Sequence, residues 1–270
     1  MKSKTKELIK TFIIVLLVPF VLKFARKLMG LAGIQIFHGD MFKYAASETW
    51  FAVLAIIAMI LLGRTDSIKP KMTGIGEGLK AGTYMIVMTV ISLLAFLLLL
   101  LSGQASIIVG SADILAFFLF ALMVGVTEEV LYRALIQNAL HDYFGEDSYE
   151  HIRIAIILSG IFFGLIHLGN IFSGESLSGT LYQVLGVIPL GIIMGAMYYR
   201  SHRNLWVNII LHAVYDASGL LAGGVLGGKG LVNALEGADS PKTLIIVAIG
   251  LAVGLFVSRR KKIPVQEQNA

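Results

Sequence analysis

The chain has 270 residues, of which 57% are hydrophobic and 14% are charged. Soluble domains carry about a quarter charged residues, because a charged surface has to surround their apolar interior. The composition therefore excludes an ordinary soluble globule and predicts a protein whose main solvent is the lipid bilayer. The sequence contains no cysteine, so disulfide bonds and thiolate metal sites are excluded as well.

The formal net charge is +5, from 22 Lys and Arg against 17 Asp and Glu. The basic residues stand in short clusters between apolar runs, a pattern typical of loops that face anionic lipid headgroups. We therefore expect membrane lipid as a partner, and no nucleic acid.

A helix that crosses the hydrocarbon core needs about 20 mostly apolar residues. Counting such runs predicts an all-α polytopic membrane protein with about eight transmembrane helices, in a single integral-membrane domain that covers residues 1–270. The predicted spans are approximately Thr11–Leu28, Ala46–Leu62, Ala81–Leu101, Ile107–Thr127, Ile152–Ile171, Leu181–Tyr199, Leu205–Leu221 and Thr243–Val257. Glycines four residues apart, such as Gly160 with Gly164 and Gly191 with Gly195, are candidate contact faces between these helices.

Lys and Arg in short loops mark the cytoplasmic side of a membrane. The clusters that fall on one side are Arg64 with Lys69 and Lys71, Arg133 with Arg153, Arg200 with Arg203, and the C-terminal run Arg259, Arg260, Lys261 and Lys262. This distribution predicts a multi-pass protein of the plasma membrane with both termini cytoplasmic. Lys23, Arg26 and Lys27 disagree if the first segment spans fully, and a re-entrant or interfacial first helix would remove the conflict.

Ionisable side chains inside a bilayer are costly, so each of them is a candidate functional residue. Glu128 and Glu129 follow an apolar run without any turn signal, and the helix is expected to continue to about Leu140. Glu129 and Arg133 are four residues apart and can pair on one helical face. Glu128 is rotated away from that pair, which leaves it the better candidate for a general base. The alternative is that both glutamates mark the cytoplasmic end of a helix.

Two histidines add to this set of polar residues. His167 lies in an apolar helix, and His212 shares a face with Asp216 four residues later. From the expected helix boundaries, Glu128, His167 and His212 reach similar depths from the same side of the membrane. We therefore predict one polar cavity that faces the cytoplasm and is surrounded by the transmembrane helices.

Several kinds of chemistry fit such a cavity. Two histidines and a carboxylate can hold a metal, so a zinc ion bound by Glu128, His167 and His212 is an alternative, although the HExxH spacing is absent. No GxSxG motif supports a serine nucleophile. A water activated by a carboxylate and oriented by histidines needs no cofactor, and we expect none.

The order EExxxR, FxxxH and HxxxD within membrane helices resembles the CAAX prenyl protease and bacteriocin-processing family, also called CPBP or Abi proteins. The matching residues are Glu128, Glu129 and Arg133, then Phe163 and His167, then His212 and Asp216. The resemblance covers roughly Leu115 to Leu221, and residues 111–221 are the predicted core that carries these motifs.

This resemblance implies an intramembrane endopeptidase with about eight helices around a cavity open to the cytoplasm. The implied catalytic residues are Glu128, His167, His212 and Asp216, and the implied supporting residues are Glu129, Arg133 and Phe163. Glu128 would activate the hydrolytic water with help from His167, while His212 and Asp216 would stabilise the oxyanion. An ionised Asp216 only accepts hydrogen bonds, so it would alternatively fix the protonation of His212, or be protonated itself.

The expected substrate is a peptide or a lipidated protein, cleaved near the C-terminus of a prenylated CAAX protein or within a bacteriocin or signal peptide. The sequence predicts no particular oligomeric state. The first alternative is a non-catalytic immunity or regulatory membrane protein that binds a peptide or partner in the same cavity. The second is a small proton-coupled transporter, since buried Glu, His and Asp also form proton relays, although no inverted repeat is visible.

Overall fold

The computed structural model describes residues 2–31, 41–173, 176–227 and 243–262, and these ranges contain helices and no β-strand. The α-helices of the described residues are α1 (Lys2–Leu31), α2 (Met41–Leu61), α3 (Ile75–Ala81), α4 (Thr83–Leu101), α5 (Ser111–Glu129), α6 (Asn138–Phe144), α7 (Tyr149–Ile166), α8 (Leu177–Arg200), α9 (Leu205–Ala222) and α10 (Thr243–Val257). A π-helix, Val130–Gln137, joins α5 to α6, and a 3₁₀ segment, His167–Ser173, follows α7.

The prediction of an all-α polytopic membrane protein is confirmed. Six helical stretches of the described residues are long and apolar enough to cross a bilayer, and α10 holds a shorter apolar segment, Leu244–Val257. The first predicted segment belongs to α1, a continuous helix of 30 residues. α1 is not among the six stretches, and the re-entrant or interfacial alternative for the first segment stays a prediction.

Apolar side chains cover the outside of the bundle as well as its interior. In the apolar stretch of α4 only 11% of the residues are buried within the protein. Leu98 and Leu101 are among its exposed side chains. Such a surface would be unfavourable in water but suits contact with lipid chains, which replace water as the solvent.

The helix that begins as α5 continues past Glu129, as predicted, and ends four residues beyond the expected Leu140. α5, the π-helix and α6 together form one span, Ser111–Phe144, of 34 residues. Every residue of the π-helix is buried. π-helical turns are rare inside α-helices and often occur at functional sites. Here the turn begins directly after the pair Glu128 and Glu129.

Most of the basic clusters meet at one end of the bundle, as the sequence predicted. Arg64 pairs with Asp142, and Arg203 pairs with Glu146. Lys71 Nζ donates hydrogen bonds to the carbonyl oxygens of His202 and Arg203, both at 3.1 Å. These contacts join the segment after α2 to α6 and to the turn after α8.

Arg133 does not belong to this charged end. Its side chain is fully buried and pairs with Glu129 inside the bundle. The prediction that groups Arg133 with Arg153 among the charges of the cytoplasmic side is therefore wrong, because the Arg133 side chain is buried in the bundle with Glu129 as its partner.

The short helix α3 is held to α8 by an ion pair at the same end. Arg200 lies 3.0 Å from the carboxylate of Glu77, and Lys80 lies 2.7 Å from it. Hydrogen bonds from Lys80 and then Arg200 lower the pKa of Glu77 to about 2. Glu77 therefore remains ionised, and remains a partner for Arg200, throughout the neutral pH range.

The predicted glycine contact face between α7 and α8 is confirmed. A Cβ added at Gly160 would lie 2.6 Å from the backbone nitrogen of Ile192, and one added at Gly191 would lie 2.8 Å from the Cα of Gly160. The two backbones approach so closely that no side chain fits between them. This contact fixes α7, which leads to His167, against α8.

We predict that Gly160→Ala destabilises the protein, because its new methyl group collides with the α8 backbone. Overpacking of this kind lowers the free energy of unfolding by about 1–3 kcal/mol. Gly186→Ala is the matched control, since a Cβ at this α8 position meets nothing within 4 Å. Thermal unfolding of both variants in the same detergent checks the prediction, and equal melting temperatures would contradict the close contact.

Candidate active site

Three parts of the bundle bring the predicted catalytic residues together. Glu128 lies in the last turn of α5, His167 follows the end of α7, and His212 and Asp216 lie on α9. Glu128 Oε1 is 4.0 Å from His167 Nε2, and Glu128 Oε2 is 3.5 Å from His212 Nε2. Residues that are up to 88 positions apart in the sequence, from Glu128 to Asp216, thus form one polar cluster.

Glu129 is the most deeply enclosed member of this cluster, with a side chain that is 0% exposed. Its Oε2 atom lies 3.2 Å from Arg133 Nε and accepts a hydrogen bond of 2.9 Å from Asn208 Nδ2. Its Oε1 atom is 2.9 Å from His212 Nδ1. A buried carboxylate requires such partners, and with three of them Glu129 is held in one position.

Glu128 has a different environment although it is the next residue. Its side chain is 24% exposed, and the ion-pair contacts within 4 Å are to His167 and His212. No arginine or lysine lies within ion-pair distance of it among the described residues. Glu128 is therefore the carboxylate of the pair that a water or a substrate can reach, which agrees with the asymmetry expected from the sequence.

His167 has one ring nitrogen fixed by the backbone. Its Nδ1 atom lies 2.8 Å from the carbonyl oxygen of Phe163. A carbonyl oxygen only accepts hydrogen bonds, so Nδ1 carries a hydrogen and is the donor of this hydrogen bond. In the neutral ring, Nε2 is then an acceptor that faces Glu128.

His212 is surrounded by carboxylates. Nδ1 faces Glu129, and Nε2 lies 3.5 Å from Glu128 and 3.4 Å from Asp216 Oδ2. Ionised carboxylates only accept hydrogen bonds, so both ring nitrogens are satisfied together when the ring is doubly protonated. In this arrangement Nε2–H is a donor that points into the accessible part of the cluster.

Asp216 stands beside the donor atom of His212 and not beside its other nitrogen. The side chain of Asp216 is 30% exposed. The residue that faces Nδ1 is Glu129, which the sequence assigned only to Arg133. Among the two roles left open for Asp216, this placement favours the one in which it supports the protonated form of His212.

Phe163 and Arg133 pack against each other beside the predicted catalytic residues. The guanidinium carbon of Arg133 lies 5.0 Å from the centre of the buried Phe163 ring, an arrangement that favours a cation–π interaction. The same ring meets His167 edge-on, with centroids 5.2 Å apart. Arg133 also donates to Ser159 Oγ at 3.3 Å, and Ser159 donates to the carbonyl oxygen of Tyr132.

Sequence reasoning missed Asn208. Its Nδ2 atom donates to Glu129 and also to the carbonyl oxygen of Met194, each at 2.9 Å, and the side chain is fully buried. Asn208 thereby joins α5, α8 and α9. The sequence feature that could have identified Asn208 is its position four residues before His212, which places both side chains on one face of α9.

The two cavities found at the charged end lie outside this cluster. One has a volume of about 260 Å³ and is lined in part by Arg64, Lys71 and Asn138. The other, of about 640 Å³, is lined in part by His141 and Tyr199. Neither is lined by the four predicted catalytic residues, which instead reach the surface through the partial exposure of Glu128 and Asp216.

The nitrogen atoms of His167 and His212 limit the ligands that the cluster can offer to a metal ion. Among the residues that the structure describes, no three His, Asp or Glu side chains are grouped as a metal site. Nδ1 of His167 and Nδ1 of His212 both face oxygen acceptors already, so each ring has only Nε2 left for another ligand.

We predict that Arg133→Gln strongly destabilises the protein, because the buried Glu129 carboxylate loses its arginine partner and keeps only His212 and Asn208. Breaking a buried ion pair in this way costs about 3–5 kcal/mol. The double variant Glu129→Gln with Arg133→Gln removes both charges and should unfold at a higher temperature than the single variant. A double variant that is less stable than Arg133→Gln alone would contradict the pairing.

Part of the chain matches a known protein family. Residues 110–218 match the model of the family described as type II CAAX prenyl endopeptidase Rce1-like. No curated protein matches the chain. The matched residues extend from the start of α5 into α9, and they include Asn208 and all seven residues of the EExxxR, FxxxH and HxxxD pattern. Over this segment the chain is similar to the Rce1-like type II CAAX prenyl endopeptidase family, which is a family of proteases.

Proposed function

We propose that the protein is an intramembrane endopeptidase in which Glu128 activates the water that hydrolyses a peptide bond. One observation carries this proposal, namely the position of the accessible Glu128 carboxylate between Nε2 of His167 and Nε2 of His212, at 4.0 and 3.5 Å. The match of residues 110–218 to a protease family supports the reaction class.

The gap between Glu128 and His167 suits a water molecule. A distance of 4.0 Å is too long for a direct hydrogen bond but allows one water to bridge the two groups. Glu128 and the unprotonated Nε2 of His167 both accept, so this water would donate both of its hydrogens to the protein. Its lone pairs are then free to attack a carbonyl carbon.

The opposite wall of the site supplies the donor for the developing negative charge. When the substrate carbonyl is attacked, its oxygen becomes an oxyanion, which a positioned N–H stabilises. His212 Nε2–H is such a donor, and the Glu129 carboxylate behind Nδ1 stabilises the positive ring. Asp216 contributes by holding the ring protonated, 3.4 Å from Nε2.

Glu128 carries out both proton transfers of the proposed hydrolysis. Glu128 takes a proton from water as the hydroxide oxygen bonds to the carbonyl carbon. When the C–N bond of the tetrahedral intermediate breaks, Glu128 returns this proton to the leaving nitrogen, which departs as an amine. The enzyme regains its starting state without any other reactant.

The family match and the position of the site among membrane helices support a proposal for the substrate class. We propose a peptide or a lipidated protein, cut near the C-terminus of a prenylated CAAX protein or within a bacteriocin or signal peptide. The protein would be a multi-pass component of the plasma membrane with both termini on the cytoplasmic side.

We predict that Glu128→Gln lowers the rate of peptide cleavage by at least about 10²-fold, the contribution typical of a general base. The variant keeps the size and shape of the side chain, so it should fold and purify like the wild type. Glu150→Gln, an exposed change in the first turn of α7, is the matched control and should cleave normally.

The measurement is a survey of new N- and C-termini in native-host cells that carry each of the three chains at equal abundance. A terminus formed by the wild type and Glu150→Gln, but not by Glu128→Gln, identifies the substrate and its bond. If no terminus differs while a phenotype persists with Glu128→Gln, the immunity or regulatory function replaces the enzymatic one.

We also predict that cleavage continues after treatment with EDTA or 1,10-phenanthroline, because in the proposed mechanism Glu128 activates the water and His212 stabilises the oxyanion, and neither step uses a metal. The assay uses the purified protein with the substrate identified above and a zinc peptidase as the positive control for chelation. A loss of activity that added zinc restores would replace this mechanism by one in which Glu128, His167 and His212 hold zinc.

A further inference from the structure

The three helical elements that carry the predicted catalytic residues have known directions relative to the charged end. Asp142 of α6 pairs with Arg64, so the span that begins as α5 finishes at the charged end. Glu146, just before α7, pairs with Arg203, just before α9. α7 and α9 therefore begin at the charged end and run toward the opposite end of the bundle, the far end.

The exposure of the site residues rises toward the far end on α5 and on α9. The Glu128 side chain is 24% exposed, whereas Glu129, one residue nearer the charged end, is enclosed. On α9 the Asp216 side chain is 30% exposed, and His212, one turn nearer the charged end, is 6% exposed. On both helices the accessible carboxylate thus lies on the side of its buried neighbour that is away from the charged end.

The end of α7 shows the same change. Phe163, one turn nearer the charged end than His167, is buried. The His167 side chain itself is 15% exposed. Beyond it, the 3₁₀ segment carries Leu168 and Ile171 as exposed side chains. All three helical elements therefore indicate that the cluster opens toward the far end.

The bundle is closed between the cluster and the charged end. Every residue from Glu129 to His141 is buried, and so is every residue of α8 from Gly191 to Arg200. Asn208 joins these two buried stretches through its bonds to Glu129 and Met194. A peptide that approached from the charged end would have to pass through this close-packed layer.

The lengths of the helices agree with an opening at the far end. His167 directly follows the last residue of α7. Asp216 is six residues, or about 9 Å, before the end of α9, and eleven residues, or about 17 Å, after its start. Glu128 lies near the middle of the 34-residue span and favours neither end. Two of the three elements thus place the site nearer the far end.

The basic residues orient the two ends in the membrane, because Lys and Arg in short loops mark the cytoplasmic side. The charged end holds, among others, Lys4, Lys6, Lys10, Arg64, Lys69, Lys71, Arg153, Arg200 and Arg203. Segments 102–110 and 167–173, at the far end, contain no Lys or Arg. The basic residues toward the far end in α1 and α2 are fewer, namely Lys23, Arg26, Lys27 and Lys43. The charged end is therefore cytoplasmic, and the far end is extracytoplasmic.

We propose that the active site is entered from the extracytoplasmic side and that its substrate is a peptide segment exported across the membrane. The reaction itself rests on the proposed function. Of the substrates named there, a bacteriocin or signal peptide fits this entrance, whereas a prenylated C-terminus in the cytoplasm would meet the closed side of the cluster. The proposal differs from the cytoplasm-facing cavity expected from the sequence, because depth locates a residue without showing on which side it is open.

The test uses the fact that the chain contains no cysteine, so that one introduced cysteine is the only thiol of the protein. The probe is a sulfonated maleimide that does not cross membranes. It is applied to intact native-host cells and to inside-out vesicles from the same cells. Asp216→Cys and His167→Cys report on the site. Gln104→Cys, in the exposed segment after α4, reports on the far end, and Lys69→Cys, also exposed, reports on the charged end.

We expect both site cysteines and Gln104→Cys to react in intact cells, and Lys69→Cys to react only in vesicles. Site cysteines that react only in vesicles, or in neither preparation, would overturn the proposal. Reaction of Gln104→Cys only in vesicles would also overturn it, since the far end would then face the cytoplasm. Size-exclusion chromatography in detergent confirms that each variant is folded, and labelling after denaturation gives the total thiol. Two site variants keep the test decisive if one of them does not fold.

Cleavage tests the substrate part of the proposal. The bond identified by the survey of termini should lie in a segment of the substrate outside the cytoplasm, and a bond in a cytoplasmic segment contradicts the proposed substrate class. If the wild type forms no new terminus, the proposed function fails, yet the labelling still decides the entrance. If cleavage is normal and the site is labelled only from the charged end, only the side of entry fails.

Discussion

The buried carboxylate of Glu129 is the interaction on which the arrangement of the site depends. A charge without water needs partners with good geometry, and Glu129 has three that come from two different elements. Arg133 approaches from the π-helix, while Asn208 and His212 approach from α9. Satisfying Glu129 therefore fixes the rotation of α9 relative to α5. The same contacts decide where His212 Nε2 points, and hence where Glu128 finds its partner.

The π-helix gives two adjacent glutamates opposite environments. Glu129 is enclosed, whereas Glu128 is 24% exposed, although one peptide bond separates them. In a continuous helix, neighbouring side chains differ in direction by about 100°, and the buried π-helix that follows carries Arg133 inward to meet Glu129. One carboxylate is thereby used for structure, and the other stays available to water. A single glutamate in this position would have to satisfy both requirements.

The sequence was sufficient for features that depend on local spacing. The pair Glu129 and Arg133, the shared face of His212 and Asp216, and the continuation of α5 all follow from helical periodicity, and the structure confirms them. The tight contact at Gly160 was also visible as a spacing of glycines. The roles of Glu128, His167, His212 and Asp216 in a reaction stay predictions.

Features that depend on distant partners could not be predicted. The contact of Glu129 with His212 joins residues 83 positions apart, and nothing local to either residue indicates it. Arg133 was also counted among the charges that mark the cytoplasmic side, because helical spacing does not show that its side chain is fully buried in the bundle. Asn208 escaped notice because an amide in an apolar helix is common, and its importance depends on the two acceptors that α5 and α8 bring to it.

The division between the matched segment and the rest of the chain has a physical meaning. Every hydrogen bond and ion pair described for Glu129 and Glu128 is made within residues 110–218. The segment thus contains a complete set of partners for its buried charges. The helices outside it are under no such constraint, since α2 and α4 meet the core mainly through apolar surfaces.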